Sequence, residues 1–278
     1  MILFPNAKIN LGLDILSRRP DGYHDIATVM VPTRWRDILE IVPARGSETT
    51  LTVTGRDLGD YPPERNLVMR AYRALAEKTD GLPPVDIYLR KVIPDGAGLG
   101  GGSADAAFTL KGLNSLFNLG FSDADLSDVA ATLGADCPFF VYNRPMLCTG
   151  TGTELSPIEL PALSGHALLI VKPPVSVPTA AAYRGVRPAL PAEPIPSILA
   201  RGDIASWQGR LKNDFEPSVF AAFPEVERVY RAMLSLAPLY ASMSGSGSAV
   251  YGIFEGDILS RLSPAETFAG CAVNASRL

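Results

Sequence analysis

A glycine-rich loop, followed directly by a helix-forming run, is the segment of this chain best suited to chemistry. Residues 94–107 read Pro-Asp-Gly-Ala-Gly-Leu-Gly-Gly-Gly-Ser-Ala-Asp-Ala-Ala. Glycine lets the backbone take positive φ and approach a ligand closely. The helix start adds unpaired N–H groups and the positive end of the helix dipole. The combination predicts an anion site, most often one for a nucleotide phosphate.

Several architectures use glycine loops, and spacing separates some of them. Gly96 and Gly101 have Walker A spacing, but Gly102 stands where the lysine is required. The protein-kinase loop accompanies His-Arg-Asp and Asp-Phe-Gly, and neither tripeptide occurs in the sequence. A dinucleotide fingerprint is literally present, but residues 122–129 resemble a helix start with a capping box where a second strand is needed. A flexible linker remains as an alternative, against which Leu99 inside the loop argues.

A lysine and an aspartate are candidates for acid–base and charge chemistry. Lys8 and Asn10 are two positions apart in an alternating run, so both side chains project from the same, polar face of a half-buried strand. A solvated surface lysine is the alternative interpretation. Asp136 lies between Gly134, which ends a predicted helix, and Pro138. A turn aspartate that binds its own backbone is the alternative there.

Aromatic residues and a second glycine loop could recognise a substrate. Tyr23-His24 follows a turn, and Tyr183 follows a proline-containing segment. His24 could be a plain surface residue, and Tyr183 could equally pack a helix. Residues 243–248 read Met-Ser-Gly-Ser-Gly-Ser between two strand-like runs, where a simple hairpin turn is the alternative.

The elements that must position these residues follow from periodicity and caps. Strands are predicted at 7–16, 23–31, 37–42 and 85–93, and helices at 66–78, 103–117 and 122–133, with Asn66 and Ser103 as N-caps. A hairpin at 146–155, a buried strand at 167–171, a helix at 225–236 and strands at 240–244 and 249–254 follow. Strands that precede helices, rather than alternate with them, predict an α+β fold.

Composition excludes several classes of function. The 278 residues are 19% charged with a net charge of −4, which provides no basic surface for nucleic acid. No apolar run reaches the roughly 20 residues of a membrane span. The sequence contains three cysteines, an odd number without metal-type spacing, which favours a reduced, cytoplasmic protein.

These motifs together resemble the GHMP small-molecule kinases. The glycine loop is similar to the family's phosphate loop, except that Ala104 replaces a serine common there. Ala7-Lys8-Ile9-Asn10-Leu11, the Gly134–Phe139 segment and the 243–248 loop are similar to further family motifs, in the family order. Asp-Gly-Tyr-His at 21–24 resembles the base-recognition element of those members whose substrate carries cytidine.

The resemblance implies a two-domain GHMP fold. It comprises a ribosomal-protein-S5-like ATP-binding domain at 1–160 and a ferredoxin-like α/β sandwich at 161–278 that closes the substrate cleft. It also implies ATP as co-substrate, Mg²⁺, and transfer to a hydroxyl of a cytidine-diphosphate polyol. No nucleic-acid or membrane partner is expected, and the protein is expected to be a monomer or a weak homodimer. A homoserine- or mevalonate-type kinase, or a non-catalytic nucleotide-binding protein, remains as an alternative.

The resemblance assigns roles to residues as well. Lys8 and Asp136 are implied as catalytic, with Asp136 the general base and Lys8 the charge stabiliser. The implied ATP-binding residues are Pro94, Asp95, Gly96, Ala97, Gly98, Leu99, Gly100, Gly101, Gly102, Ser103 and Ala104. The implied substrate-binding residues are Asn10, Tyr23, His24, Tyr183, Gly245 and Ser246, with Tyr23 and Tyr183 stacking on a base. No metal ligand is assigned.

Overall fold

The structure is a computed structural model that describes residues 1–56, 62–79, 81–256 and 267–278. The strands are β1 (Ile2–Leu3), β2 (Asn6–Arg18), β3 (His24–Arg36), β4 (Ile38–Pro43), β5 (Thr50–Gly55), β6 (Val85–Lys91), β7 (Met146–Thr149), β8 (Glu154–Pro157), β9 (Ala167–Lys172), β10 (Tyr240–Met243), β11 (Val250–Phe254) and β12 (Ala272–Arg277). The helices are α1 (Leu67–Ala76), α2 (Gly101–Leu116), α3 (Asp123–Ala131), α4 (Cys137–Tyr142), α5 (Thr179–Arg184), α6 (Ile195–Leu199), α7 (Glu216–Ala222) and α8 (Pro224–Ser235). Within these ranges, no helix has the length and apolar character that crossing a membrane requires.

The chain forms two compact units whose segments alternate along the sequence. Unit one consists of Met1–Ala7, Trp35–Asp95 and Gly100–Arg144. Unit two consists of Lys8–Arg34, Gly96–Leu99 and Pro145–Leu278. The predicted domains, 1–160 and 161–278, are each one continuous stretch of the chain, whereas each compact unit combines several stretches. The predicted domain boundary stays a prediction.

In unit one, a sheet of order β1-β4-β6-β5 carries the flank of the glycine loop. β4 pairs antiparallel and β5 parallel with β6. Along β6, Val85, Ile87 and Leu89 are buried and alternate with more exposed residues, as the two-residue period of a strand requires. The next inward position is Lys91, a charged residue on the buried face. Helix α2 approaches this sheet at Gly112, where a Cβ would lie 2.6 Å from Leu3 Cδ1.

The sheet of order β2-β3-β7-β8 carries Lys8 and Asn10 on β2. Side chains on both faces of β2 are buried from Asn6 to Ile15. The expectation of a half-buried strand is therefore wrong. The strand itself and the hairpin formed by β7 and β8 are confirmed.

The last sheet lies in unit two, has the order β10-β11-β9-β12, and is antiparallel throughout. All six residues of β9 are buried, which confirms the predicted buried strand. Helix α8 adds Met233 to the core formed with Leu169, Val250 and Phe254. Strands and helices are segregated along much of the chain, so the α+β class is confirmed.

The predicted helix N-caps are confirmed at two helices and wrong at a third. Ser122 and Asp125 form the predicted capping box of α3, and Asn66 caps α1 by accepting a hydrogen bond from Val68 N–H. Ser103 is not an N-cap, because α2 already begins at Gly101 with Gly100 as its cap at φ 69°. The left-handed conformation of Gly100 ends the loop earlier than the serine signal indicates. Helix α4, with only six residues and Pro138 in its first turn, was not predicted.

Candidate functional site

The glycine loop needs glycine at alternate positions. Gly96, Gly98 and Gly100 have φ values of 58°, 71° and 69°, a region that L side chains rarely adopt. A Cβ on Gly98 would also lie 2.0 Å from the carbonyl oxygen of Ser244, which leaves no room for a side chain. The predicted ATP-binding residues lie partly in the glycine loop and partly in the first turn of α2. Pro94, Asp95, Gly96, Ala97, Gly98, Leu99 and Gly100 form the loop, and Gly101, Gly102, Ser103 and Ala104 form the first turn of α2.

The loop tip, Gly96–Leu99, is held by hydrogen bonds within unit two. The carbonyl oxygen of Leu99 accepts from Lys8 N–H at 2.9 Å, and that of Ala97 accepts from Ala249 N–H at 3.0 Å. Ser244 Oγ donates to the carbonyl of Gly98 at 2.9 Å. A backbone fixed at three successive residues is not a flexible linker, so that alternative is wrong.

Lys8 and Asn10 form one buried polar group on β2. Lys8 is 3% exposed, and its Nζ donates to Asn10 Oδ1 at 2.6 Å. Asn10 in turn donates from Nδ2 to Thr28 Oγ1 at 3.0 Å. The alternative of a solvated lysine is wrong, because the loop tip and the second glycine loop cover this face. A buried ammonium costs free energy unless polar atoms surround it, so Asn10 has a defined role in holding Nζ.

The second glycine loop contacts both the loop tip and Asn10 in unit two. Asn10 N–H donates to Ser244 Oγ at 3.3 Å. A Cβ on Gly245 would lie 3.2 Å from Asn10 Oδ1 and 3.4 Å from Gly98 O. Ser246 Oγ shares a hydrogen bond of 3.2 Å with the hydroxyl of Thr179. Two glycine loops therefore line one small region together with Lys8.

Asn213 and Glu216 hold the second loop from behind. Asn213 Nδ2 donates to the carbonyls of Met243 and Gly245, both at 2.8 Å. Glu216 Oε1 accepts from Met243 N–H at 2.8 Å and from Ser242 Oγ at 2.7 Å. Burial raises the pKa of the Glu216 carboxyl, and these hydrogen bonds oppose the rise. Residues 213–216, which read Asn-Asp-Phe-Glu, thus hold the second glycine loop in place.

The aromatic residues predicted to contact a base are partly packed against each other in unit two. His24 and Tyr183 stack with ring centroids 4.8 Å apart and planes at 21°. Tyr183 also meets Phe215 edge-on at 4.8 Å. Tyr23 is 67% exposed. In this arrangement Tyr183 faces His24, so a base that entered between these two rings would have to separate them.

Asp136 lies in unit one, directly before α4. It occupies the N-cap position, but its side chain makes no capping hydrogen bond to that helix. Asp136 therefore does not cap α4. The half-buried carboxylate adjoins Cys137, whose thiol pKa is raised to about 11 chiefly by burial and in part by Asp136.

Unit one contains a cavity of about 330 Å³ beside the flanks of the glycine loop. Leu67 and Leu89 supply apolar walls, and Asn66 supplies an amide. The remaining lining residues are Lys91, Asp95, Gly102 and Asp105. Apolar walls with a few polar groups are typical of a pocket for a small organic ligand.

Three buried charges adjoin this cavity and form what we call the ion cluster: Asp37, Lys91 and Asp105. Lys91 Nζ donates to Asp37 Oδ2 at 2.5 Å and to Asp105 Oδ2 at 2.7 Å. Burial alone lowers the pKa of Lys91, but the two carboxylates outweigh it and raise that pKa. Burial raises the pKa of Asp105, and Lys91 opposes the rise. Asp105 Oδ1 is buried without a hydrogen-bond partner.

Sequence reasoning missed the ion cluster, although a signal was present. In the run Val85-Asp86-Ile87-Tyr88-Leu89-Arg90-Lys91, the lysine takes the next inward position after three apolar residues. A lysine in such a position needs a buried acidic partner. The partners, however, lie 54 positions before and 14 positions after it. Local periodicity identifies the lysine but not its partners.

A second cavity, of about 370 Å³, lies in unit two away from the predicted residues. Asp14, Asp214 and Lys212 line it, together with the ion-paired Arg210 and Glu193. Asp14 is 7% exposed, and its Oδ2 has no hydrogen-bond partner. Burial and the neighbouring Asp214 raise the pKa of Asp14 to about 6, and Lys212 opposes the rise.

Two family models match the sequence. The model described as the GHMP kinases N terminal domain matches residues 66–144, which include the glycine loop and Asp136. The model described as GHMP kinases C terminal matches residues 195–265, which include the second glycine loop.

Individual proteins are similar over nearly the whole chain. The chain is 49% identical to the 4-diphosphocytidyl-2-C-methyl-D-erythritol kinase of Parabacteroides distasonis, over 92% of each chain. It is 48% identical to that of Bacteroides fragilis, over 91% of this chain and 92% of the relative. A crystal structure of 4-(cytidine 5'-diphospho)-2C-methyl-D-erythritol kinase superposes with a TM-score of 0.82 at 36% identity, covering 99% of this chain and 98% of that one.

Proposed function

Since the chain belongs to the GHMP kinases, and within them to the 4-diphosphocytidyl-2-C-methyl-D-erythritol kinase family, we propose that it phosphorylates 4-diphosphocytidyl-2-C-methyl-D-erythritol. The reaction transfers the γ-phosphoryl group of ATP to the 2-hydroxyl and releases ADP. The product is a precursor in non-mevalonate isoprenoid biosynthesis. The observation that carries the proposal is the identity of nearly half over 92% of both chains.

Phosphoryl transfer depends mainly on positioning and charge neutralisation, and two residues are proposed for it. Asp136 takes the proton of the attacking hydroxyl, a role supported by its place in the stretch of residues 66–144, which also contains the glycine loop and matches the GHMP kinases N terminal domain. Lys8 stabilises the negative charge that develops on the transferring group. Asn10 supports that role, because its Oδ1 holds Lys8 Nζ at 2.6 Å in a buried environment.

The glycine loop is proposed to bind the ATP phosphates. Its alternating positive-φ glycines and the first turn of α2 present backbone N–H groups without side chains in the way. The apolar cavity between Leu67 and Leu89 in unit one is proposed for the purine base of ATP. Mg²⁺ is proposed as the phosphate counter-ion. Among residues 1–56, 62–79, 81–256 and 267–278, no group of three or more His, Cys, Asp or Glu side chains could hold a metal ion.

The substrate side is proposed to use Asn10, Tyr23, His24, Tyr183, Gly245 and Ser246. His24 offers ring nitrogens to the pyrimidine edge, and the exposed ring of Tyr23 is available for stacking. Because Tyr183 packs on His24, cytidine binding is proposed to separate those two rings. A homoserine- or mevalonate-type substrate needs no base-recognition pair.

No partner besides the two small-molecule substrates is proposed. Net charge −4 offers no basic surface for nucleic acid. The three cysteines are free thiols, in keeping with the predicted reduced, cytoplasmic environment. A monomer or weak homodimer stays a prediction.

The test is ADP release by the purified protein, measured with a coupled assay and three candidate acceptors. We expect turnover with 4-diphosphocytidyl-2-C-methyl-D-erythritol and none with homoserine or mevalonate, and phosphorus NMR should detect a new phosphomonoester on the polyol. Folded Asp136→Asn protein is the control for contaminating kinases. Equal turnover with another acceptor, or none with the cytidine substrate, would contradict the proposal.

A further inference from the structure

Both flanks of the glycine loop are attached to the ion cluster. The chain enters the loop from β6, through Lys91, Val92 and Ile93, and leaves it into α2, which carries Asp105. Lys91 is the last residue of the entry strand, and Asp105 lies in the second turn of the exit helix. The salt bridge between them therefore joins the two flanks of the glycine loop.

Asp37 fixes the entry side in more than one way. Its Oδ1 accepts from Val92 N–H at 2.5 Å and from Ile93 N–H at 2.8 Å, while its Oδ2 accepts from Lys91. These backbone N–H groups lie just past the end of β6, where the ladder no longer supplies partners. One carboxylate therefore determines the direction in which the chain enters the loop.

The exit side of the loop, the start of α2, packs closely against the entry side. A Cβ on Gly101 would lie 3.0 Å from Ile93 Cγ2 and 3.4 Å from Lys91 Nζ, so the start of α2 rests directly on the entry flank. Lys91 then reaches past Gly101 to Asp105 at 2.7 Å. The two flanks cannot separate without breaking this charge-assisted bond.

The composition of the ion cluster is hard to explain by stability alone. Two buried carboxylates share one ammonium, so the cluster carries one uncompensated negative charge if all three groups are ionised. Buried ion pairs are often replaceable by apolar residues without loss of stability. Charged, directional bonds instead specify the positions of the atoms that they join.

We propose that Asp37, Lys91 and Asp105 are positioning residues that set the width of the glycine loop and thereby its affinity for ATP. The inference rests on the proposed function, in which this loop binds the ATP phosphates. Asp105 is the member of the ion cluster that connects the exit helix α2 to the entry flank, because the other two members lie outside that helix.

Asp105→Asn tests this inference with little change of shape. It replaces the bond between two charged groups by one in which only Lys91 is charged, and it leaves the Asp37–Lys91 pair intact. We expect the dissociation constant for a non-hydrolysable ATP analogue, measured by calorimetry, to rise about fivefold or more, since a tenfold change corresponds to only about 1.4 kcal/mol. The melting temperature should be unchanged or higher, because an uncompensated buried charge is removed.

Asp14→Asn is the matched control, because it makes the same chemical change at a buried carboxylate in unit two. Its affinity for the ATP analogue should match that of the wild type. If the asparagine variant does not fold, Asp105→Ser takes its place, because the shorter side chain also removes the negative charge that faces Lys91.

The outcomes separate the inference from the proposed function. Unchanged analogue affinity in a folded Asp105 variant, or a loss that only parallels a lower melting temperature, overturns the positioning role and leaves the function standing. If the wild-type protein does not bind the analogue at all, the function is wrong and the inference falls with it. Weaker analogue binding with unchanged KM for the cytidine substrate supports both.

Discussion

Asp14→Asn should stabilise the protein at neutral and alkaline pH and have little effect in acid. The carboxyl group lies in the second cavity, nearly buried, with Oδ2 unpaired and Asp214 as a neighbour. Burial, with Asp214, raises its pKa from the ordinary 3.8 to about 6 in the folded state. The folded protein therefore holds the proton more tightly than the unfolded chain does.

The size and sign of the effect follow from this difference. Above pH 6 the group is ionised in both states, and the folded state carries the full cost of about 2 pKa units, or about 3 kcal/mol. As the pH falls through 6 the cost declines, to about 1.5 kcal/mol at pH 5 and about 0.5 kcal/mol at pH 4. Asparagine carries no charge at any of these values, so its gain over wild type should follow the same profile.

Urea unfolding of both proteins at pH 5, 6.5 and 8 would measure the gain in free energy of unfolding. Asp21→Asn is the control, since Asp21 is an exposed carboxylate whose pKa is lowered by the Tyr23 N–H, and its removal should not stabilise the protein. A gain at Asp14 that is equal at pH 5 and pH 8, or a loss at pH 8, would refute the reasoning.

Three further changes test the proposed site. Asp136→Asn should leave ATP binding intact and lower kcat by about 10²–10⁴-fold, the usual contribution of a general base; a folded variant with near-normal turnover would contradict the assignment. Gly98→Ala should weaken ATP binding far more than Gly120→Ala, because both have positive φ but only Gly98 faces a backbone oxygen at 2.0 Å; calorimetry that shows equal affinities would rule out this loop as the phosphate site. His24→Ala should raise the KM for the cytidine substrate about fivefold or more, the effect of one lost hydrogen bond, with little change for ATP; steady-state titration of both substrates checks this, and a rise in the ATP KM alone would move His24 to the nucleotide side.

Features set by a few neighbouring residues could be predicted from the sequence. The glycine loop is predictable because φ requirements act residue by residue, and the capping box of Ser122 and Asp125 is predictable because it depends on a spacing of three residues. The buried strand β9 reveals itself by an unbroken apolar run. The similarity of several motifs to one family then distinguishes a GHMP phosphate loop from the other kinds of glycine loop.

Features that depend on distant partners could not be predicted. Lys8 and Asn10 share one face of β2, as the spacing predicts, but that face is buried rather than exposed. The burial involves the second glycine loop, whose Ser244 follows Asn10 by 234 positions. Asp37 and Asp105 have no local signal that marks them as partners of Lys91. The stacking of Tyr183 on His24 likewise joins segments far apart in sequence.

The alternation of the two units along the chain has a consequence for how the protein is synthesised. Unit one has all of its segments once Arg144 has been made, whereas Lys8–Arg34 belongs with residues up to the carboxyl end. Asn10 meets Ser244 and Tyr251, which follow it by 234 and 241 positions. At bacterial and eukaryotic translation rates this interval lasts on the order of 10–50 s. Throughout it the apolar strand that bears Lys8 can pair with β3 but lacks the partners that it has near the carboxyl end. The nascent chain therefore offers a long-lived binding segment to holding chaperones, and folding should be slow for a chain of this length.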